Sequence, residues 1–173
     1  VYFGHGTDNA RDESAALAIW DVPTGSSGIL EARIRFPQYP LALDAGIFFG
    51  YRSGTNGYLW TLNGNGPTAL TSLSNLKDTT NLTSTNWYWK AKAGKWSVVS
   101  AQWENQTMKL SVDGRVAVDT IDLDFAGLGS VGLGAKRGAG EPVAEVDWIR
   151  LRNTPGADRF TLRFGKLEKS GGH

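Results

Sequence analysis

A chain of 173 residues with 18 lysines and arginines against 17 aspartates and glutamates is sized for one domain with a real core and is nearly neutral. That balance leaves no electrostatic footprint for nucleic acid or an anionic membrane, and no apolar run approaches a membrane span. Cysteine is absent and His5 is the one histidine ahead of the closing KSGGH, which excludes disulfides, thiolate chemistry and histidine-pair zinc sites, and also a Ser–His–Asp set if His5 is structural.

In chain order, ARDESAALAIW is the one segment with a helical reading, a short turn capped by Asp12 and Ser14, with Trp20 reading as core. ILEARIRFP then alternates, Leu30, Ala32, Ile34 and Phe36 on one face against Glu31, Arg33 and Arg35 on the other, the period of a half-buried strand. AGIFFGYR and GYLWTLNG are strands joined by SGTNG, with Asn56-Gly57 as a hairpin signal, and TALTSLSNL is a further strand. KDTTNLTSTN (77–86) reads as a long polar loop. KWSVVSAQWEN and TMKLSVDGRVAVDTI follow, the latter turning at Asp113-Gly114, and GSVGLGAKRG, PVAEVDWIRLRN and RFTLRFGKLE complete about a dozen strands. So many strands exceed what one sheet carries without splitting, and the 22 glycines supply no repeat. The expected fold is all-β, a two-sheet antiparallel sandwich over residues 1–168, with 169–173 a linker stub into a histidine tag.

The stretch from Trp96 through Val112-Asp113-Gly114 and Val131-Gly132-Leu133-Gly134 to Val146-Asp147-Trp148-Ile149-Arg150-Leu151 resembles the laminin-G/concanavalin A-like lectin and glucanase superfamily. The match covers about 94–153, and the first half shares its rhythm of strand and turn. The resemblance implies a concanavalin A-like jelly roll with sugars on a concave face or edge groove, and makes Trp96 a structural, strand-opening residue. It leaves function open, because lectins, binding modules, adhesion domains and hydrolases share the fold.

The seven tryptophans are sorted by parity. Trp103 shares a face with Val99 and Ala101 and reads as core. Trp87 and Trp89 share a face beside Lys90, Lys92 and Lys95, about 7 Å apart along a strand, and read as a surface platform for sugar rings. A second candidate set is Tyr51, Arg52, Tyr58 and Trp60, with Arg52 as donor to a hydroxyl pair or carboxylate. Parity does not say which face is which, so Tyr58 and Trp60 equally well fill the core.

Hydrolases of the resembling type carry E-x-D-x-x-E, and in EVDWIR the last acid is replaced by Arg150, so the pair that retaining hydrolysis needs is not assembled. Asp44 and Glu104 remain as carboxylates that folding alone would have to bring together. By parity Asp147 joins Ile149 and Leu151 on the inner side, where it requires a partner. Two partners fit: an arginine or hydrogen bond, or a structural calcium completed by Asp8, Asp12, Glu13 or Asp21, as in many β-sandwich sugar-binding modules. The sequons NLT at Asn81 and NQT at Asn105 fall in expected loops and accord with an extracellular or cell-surface setting. The reading is a non-catalytic carbohydrate-binding module for a neutral polysaccharide, needing no cofactor, linked to further domains, with no nucleic-acid or membrane partner. The competing reading is a structural or adhesion domain of a cell-surface or filament protein.

Overall fold

The computed structural model describes residues 2–3, 15–36, 44–52, 56–63, 69–74, 78–84, 94–121, 129–136, 144–152 and 159–163. Side chains are described over 24–36, 45–50, 57–62, 94–120, 129–134 and 144–152. The strands in chain order are β1 (Tyr2–Phe3), β2 (Ala15–Thr24), β3 (Ser27–Arg35), β4 (Asp44–Arg52), β5 (Asn56–Asn63), β6 (Ala69–Ser74) and β7 (Asp78–Ser84). They continue with β8 (Ser97–Glu104), β9 (Thr107–Val112), β10 (Arg115–Ile121), β11 (Gly129–Lys136), β12 (Ala144–Arg152) and β13 (Arg159–Arg163). Every pairing is antiparallel. One sheet runs β1-β12-β3-β8-β9-β10, with β13 also on β12; the other runs β2-β11-β4-β5-β6-β7. The chain is a two-sheet antiparallel β-sandwich, as its alternation requires.

Alternation sets the faces where the ladder is regular. In β3, Leu30, Ala32 and Ile34 are buried while Glu31, Arg33 and Arg35 are not. In β8, Val99, Ala101 and Trp103 are buried between solvent-facing neighbours. The hairpin β9–β10 turns on Asp113 and Gly114, both with positive φ (50° and 77°), which matches the twist of a two-residue hairpin. Asp113 also holds β8: its Oδ1 accepts the Val98 N–H at 2.9 Å and its own N–H donates to the Val98 carbonyl at 2.8 Å.

Two expectations are corrected. The segment given a helical turn is strand β2 from Ala15 onward, laddered to β11. Its run AALAIW is apolar at nearly every position, a pattern that suits a strand buried on both faces as well as a helix. Most of the expected loop 77–86 is strand β7 at the edge of the six-stranded sheet, so Asn81 lies in a strand. Threonine-rich polar sequence fits such an edge: β-branching favours the pleat and polarity discourages pairing with another chain. β4 and β5 pair as expected, but Asn56 and Gly57 open β5, with Asn56 paired to Arg52, and do not form the turn themselves.

The sheets meet over one core, and Trp103 is fitted closely within it. The indole stacks on Phe49 of the opposite sheet, centroids 5.8 Å apart and planes 8° from parallel, and Phe49 stacks in turn on Tyr58 at 5.8 Å. Trp103 Nε1 donates to the Gly25 carbonyl at 3.2 Å, so its polar atom is satisfied. Directly across the ladder stands Gly28, where a Cβ would lie 2.4 Å from the ring. Trp103→Ala should therefore cost about 3–5 kcal/mol, which at roughly 2–4 °C per kcal/mol lowers the thermal midpoint by many degrees. Gly28→Ala should also lower it, because Phe49 blocks the indole's retreat; a calorimetric melt with both midpoints unchanged would refute this packing.

Candidate functional site

The outward residues of β3 and β12 form a continuous charged and aromatic array on the seven-stranded sheet. Regular alternation supplies Glu31, Arg33 and Arg35 from β3. On β12 the register slips between Val146 and Trp148, a bulge that leaves Asp147 unpaired and turns both Asp147 and Trp148 away from the core. Ile149 and Leu151 return inward, so Arg150 and Arg152 face out. Trp96 joins the array from the approach to β8: Gly94, at φ 72°, donates its N–H to the Phe36 carbonyl at 2.8 Å and turns the chain there. Ser97 is buried, and Trp96, one residue earlier, projects outward and is half-buried.

The groups interlock. Arg33 Nη1 donates to Asp147 Oδ2 at 2.7 Å, and Arg35 Nε donates to Glu145 Oε2. Arg150 gives Nε and Nη2 to Glu31 Oε2 at 2.9 and 2.6 Å, and Arg152 Nη2 reaches the same oxygen at 2.8 Å. The guanidinium carbons of Arg33 and Arg35 lie 5.1 and 4.6 Å from the centroid of Trp96, and that of Arg150 lies 5.0 Å from Trp148, all within cation–π range. Beyond Arg152 the face continues across Ile29 and Gln102 to Lys109. There an open depression of about 400 Å³ is lined by Gln102, Glu104, Asn105, Gln106, Thr107 and Lys109.

The residues singled out in the sequence fare differently. Trp60 is fully buried beside Ile47, with Nε1 buried and without a partner, so it offers no face to a ligand. Its parity with Leu62, on the face opposite Thr61, decides for the core. Tyr58 is half-buried and packs against that core through Phe49. Tyr51 and Arg52 end β4 past a register slip at Gly50 (φ 68°), so strict parity does not extend to them, and their side chains lie outside the described set. Trp87 and Trp89 lie outside the described residues, as does the side chain of Trp20.

Asp147 is corrected: the bulge turns it outward, 37% exposed, and Arg33 is its partner. Of the proposed calcium oxygens, Asp8, Asp12 and Glu13 lie outside the described residues and the Asp21 side chain is not described. Among the described residues no group of three or more His, Cys, Asp or Glu is placed to hold a metal. Glu104 is exposed at the end of β8, and Asn105 turns the β8–β9 hairpin at φ 51° as the loop reading required. Trp96 and Trp148 were missed as surface aromatics. For Trp148 the sequence carries no sign of the bulge; for Trp96, its place one residue before the inward Ser97 was the available signal.

No family model and no curated protein matches this sequence. Solved structures do match in fold. The carbohydrate-binding module CBM66 from Bacillus subtilis superposes with a TM-score of 0.64 at 17% identity, over 79% of this chain and 80% of that one. A tetrameric galectin from the ball sponge Cinachyrella sp. gives 0.58 at 13% identity, over 80% and 98%. A xylan β-1,4-xylosidase from Bacillus halodurans C-125 gives 0.53 at 13% identity, over 75% of this chain but 28% of that protein.

Glu31 is the keystone of the array, 14% exposed and bound to two arginines. Glu31→Gln should destabilise by about 1–3 kcal/mol, the range for hydrogen bonds to charged groups. Asp119→Asn, which breaks the exposed pair with Lys109 at 3.3 Å, should change stability by less than about 1 kcal/mol. Urea midpoints compare the two, and equal losses would contradict the keystone role.

Proposed function

We propose that this chain is a non-catalytic carbohydrate-binding module that recognises a neutral polysaccharide through surface aromatics, within a larger extracellular or cell-surface protein. The observation that carries the reading is the extent of the fold match. This chain and the carbohydrate-binding module match over four-fifths of each, whereas the xylosidase is matched over 28% of its length, so the likeness there is to one part of that protein. The galectin match, over 98% of that lectin, points the same way.

Chemistry supports it. Glu31, Glu145 and Asp147 are each held by an arginine, so none of the three stands as an unengaged acid or base. Hydrolysis at a sugar requires two carboxylates, about 5–5.5 Å apart for retention or up to about 9.5 Å for inversion, with one left to give up a proton. Trp87 and Trp89 are the proposed platform, their indoles stacking on sugar rings at on the order of 1 kcal/mol each, as for other aromatic contacts. Binding through so few stacks is weak and gains from repetition along the polymer.

Affinity electrophoresis through gels holding glucan, mannan, xylan or fructan tests the reading. Retardation on one of them is expected, and none on all four would refute it. The variant Trp87→Ala/Trp89→Ala should lose the retardation and keep the wild-type thermal midpoint. A lowered midpoint would instead place the two indoles in a core.

A further inference from the structure

We propose that the outer face of the seven-stranded sheet, from Trp96 to Arg152, is a second binding surface, one that takes the carboxylates of a polyuronate chain. Four guanidiniums stand there against three carboxylates, and the two signs are layered in depth. Glu31 and Glu145 are 14% and 12% exposed, whereas Arg35, Arg150 and Arg152 are 36%, 38% and 33% exposed. Asp147 departs from the layering at 37%, but its partner Arg33 is the more exposed at 41%. Solvent thus meets mainly donors. A neutral sugar is read by donors and acceptors together, since each hydroxyl both gives and takes a hydrogen bond. A face whose acceptors are recessed favours a ligand that brings a group that only accepts, such as a carboxylate.

The recessed carboxylates also fix the arginines in place. Arg33 gives Nη1 and Arg35 gives Nε to its carboxylate, so each partly exposed guanidinium keeps N–H donors that these bonds do not use, and a bidentate anion can engage them. Indoles alternate with them: Trp96 beneath Arg33 and Arg35, and Trp148 beside Arg150. A uronate supplies the carboxylate for such a fork, while the indoles, already engaged by guanidiniums, help hold the forks in place. Trp148 to Arg152 spans roughly 13 Å at about 3.3 Å per strand residue, longer than a single sugar ring, so the surface suits a chain. At its far edge β13 brings Arg159 and Arg163 into register with Arg152 and Trp148.

Gel retardation by polygalacturonate, with heparin and neutral xylan in parallel gels, tests the proposal. Wild-type protein should be retarded by polygalacturonate in about 0.05 M salt and released near 1 M, where the screening length falls to about 3 Å. Arg33→Gln/Arg35→Gln should weaken the retardation at least tenfold. Absence of retardation by polygalacturonate, retardation by heparin alone, or equal retardation of wild type and the arginine variant would each overturn it. A second measurement needs no variant: an oligogalacturonate should protect Arg33, Arg35, Arg150 and Arg152 of the wild-type protein from phenylglyoxal, read by peptide mass spectrometry. Unprotected arginines refute the proposal even if the variant fails to fold. Loss of neutral-polysaccharide binding alone bears on the module reading and leaves this one standing.

Discussion

The structure turns on the fit of one indole against a residue with no side chain. Trp103 lies over Gly28 and faces Phe49 across the interior, so one ring sets both the pairing of β3 with β8 and the distance between the sheets. Interiors packed to crystal density do not slide. With β3 and β8 locked, the register of β3 is fixed, and a register shifted by one would bury Glu31, Arg33 and Arg35 and expose Leu30, Ala32 and Ile34. The polar array outside therefore depends on the apolar contact inside.

The array follows a second constraint, that charge withdrawn from water must be partnered, as Glu31 and Glu145 are. Pairing each carboxylate with an arginine offsets part of the cost of partial burial and restricts long side chains. Glu31 Oε2 gathers N–H donors from Arg150 and Arg152, two residues apart on the same side of β12. The cation–π contacts add a lateral tie to Trp96 and Trp148. The outcome is a surface of long side chains with little freedom, a condition for recognition without a large entropic loss.

The regular parts of this arrangement were legible in the sequence. Strict alternation in ILEARIRFP and WSVVSAQW gave the faces of β3 and β8, the placement of Trp103, and the polarity of Glu31, Arg33 and Arg35. Asp113-Gly114 announced its turn because few residues accept positive φ. What failed to show were irregularities of the ladder. The extra residue at Asp147 breaks period two without any glycine or proline to mark it, so a carboxylate that parity sent inward stands outside beside Trp148. Continuous apolarity hid β2, and threonine-rich polarity hid β7, since neither segment alternates. Trp60 was ambiguous for a different reason: parity grouped it rightly with Tyr58 and Leu62, but only the opposing sheet reveals which side of a strand is the interior.

Phe48 and Leu59 are opposite one another on β4 and β5, on the side facing away from the inter-sheet core, yet both are wholly buried. The Phe48 ring lies so close to Gly57 that a Cβ there would meet it at 2.5 Å. Thr61, Gly132 and Gly134 are buried as well. The middle of the six-stranded sheet is therefore shielded above and below. Burial on both faces is the condition under which amide protons reach solvent only through opening of the whole domain, so β4 and β5 are expected to exchange most slowly and β9 and β10, at the margin of the other sheet, through local opening.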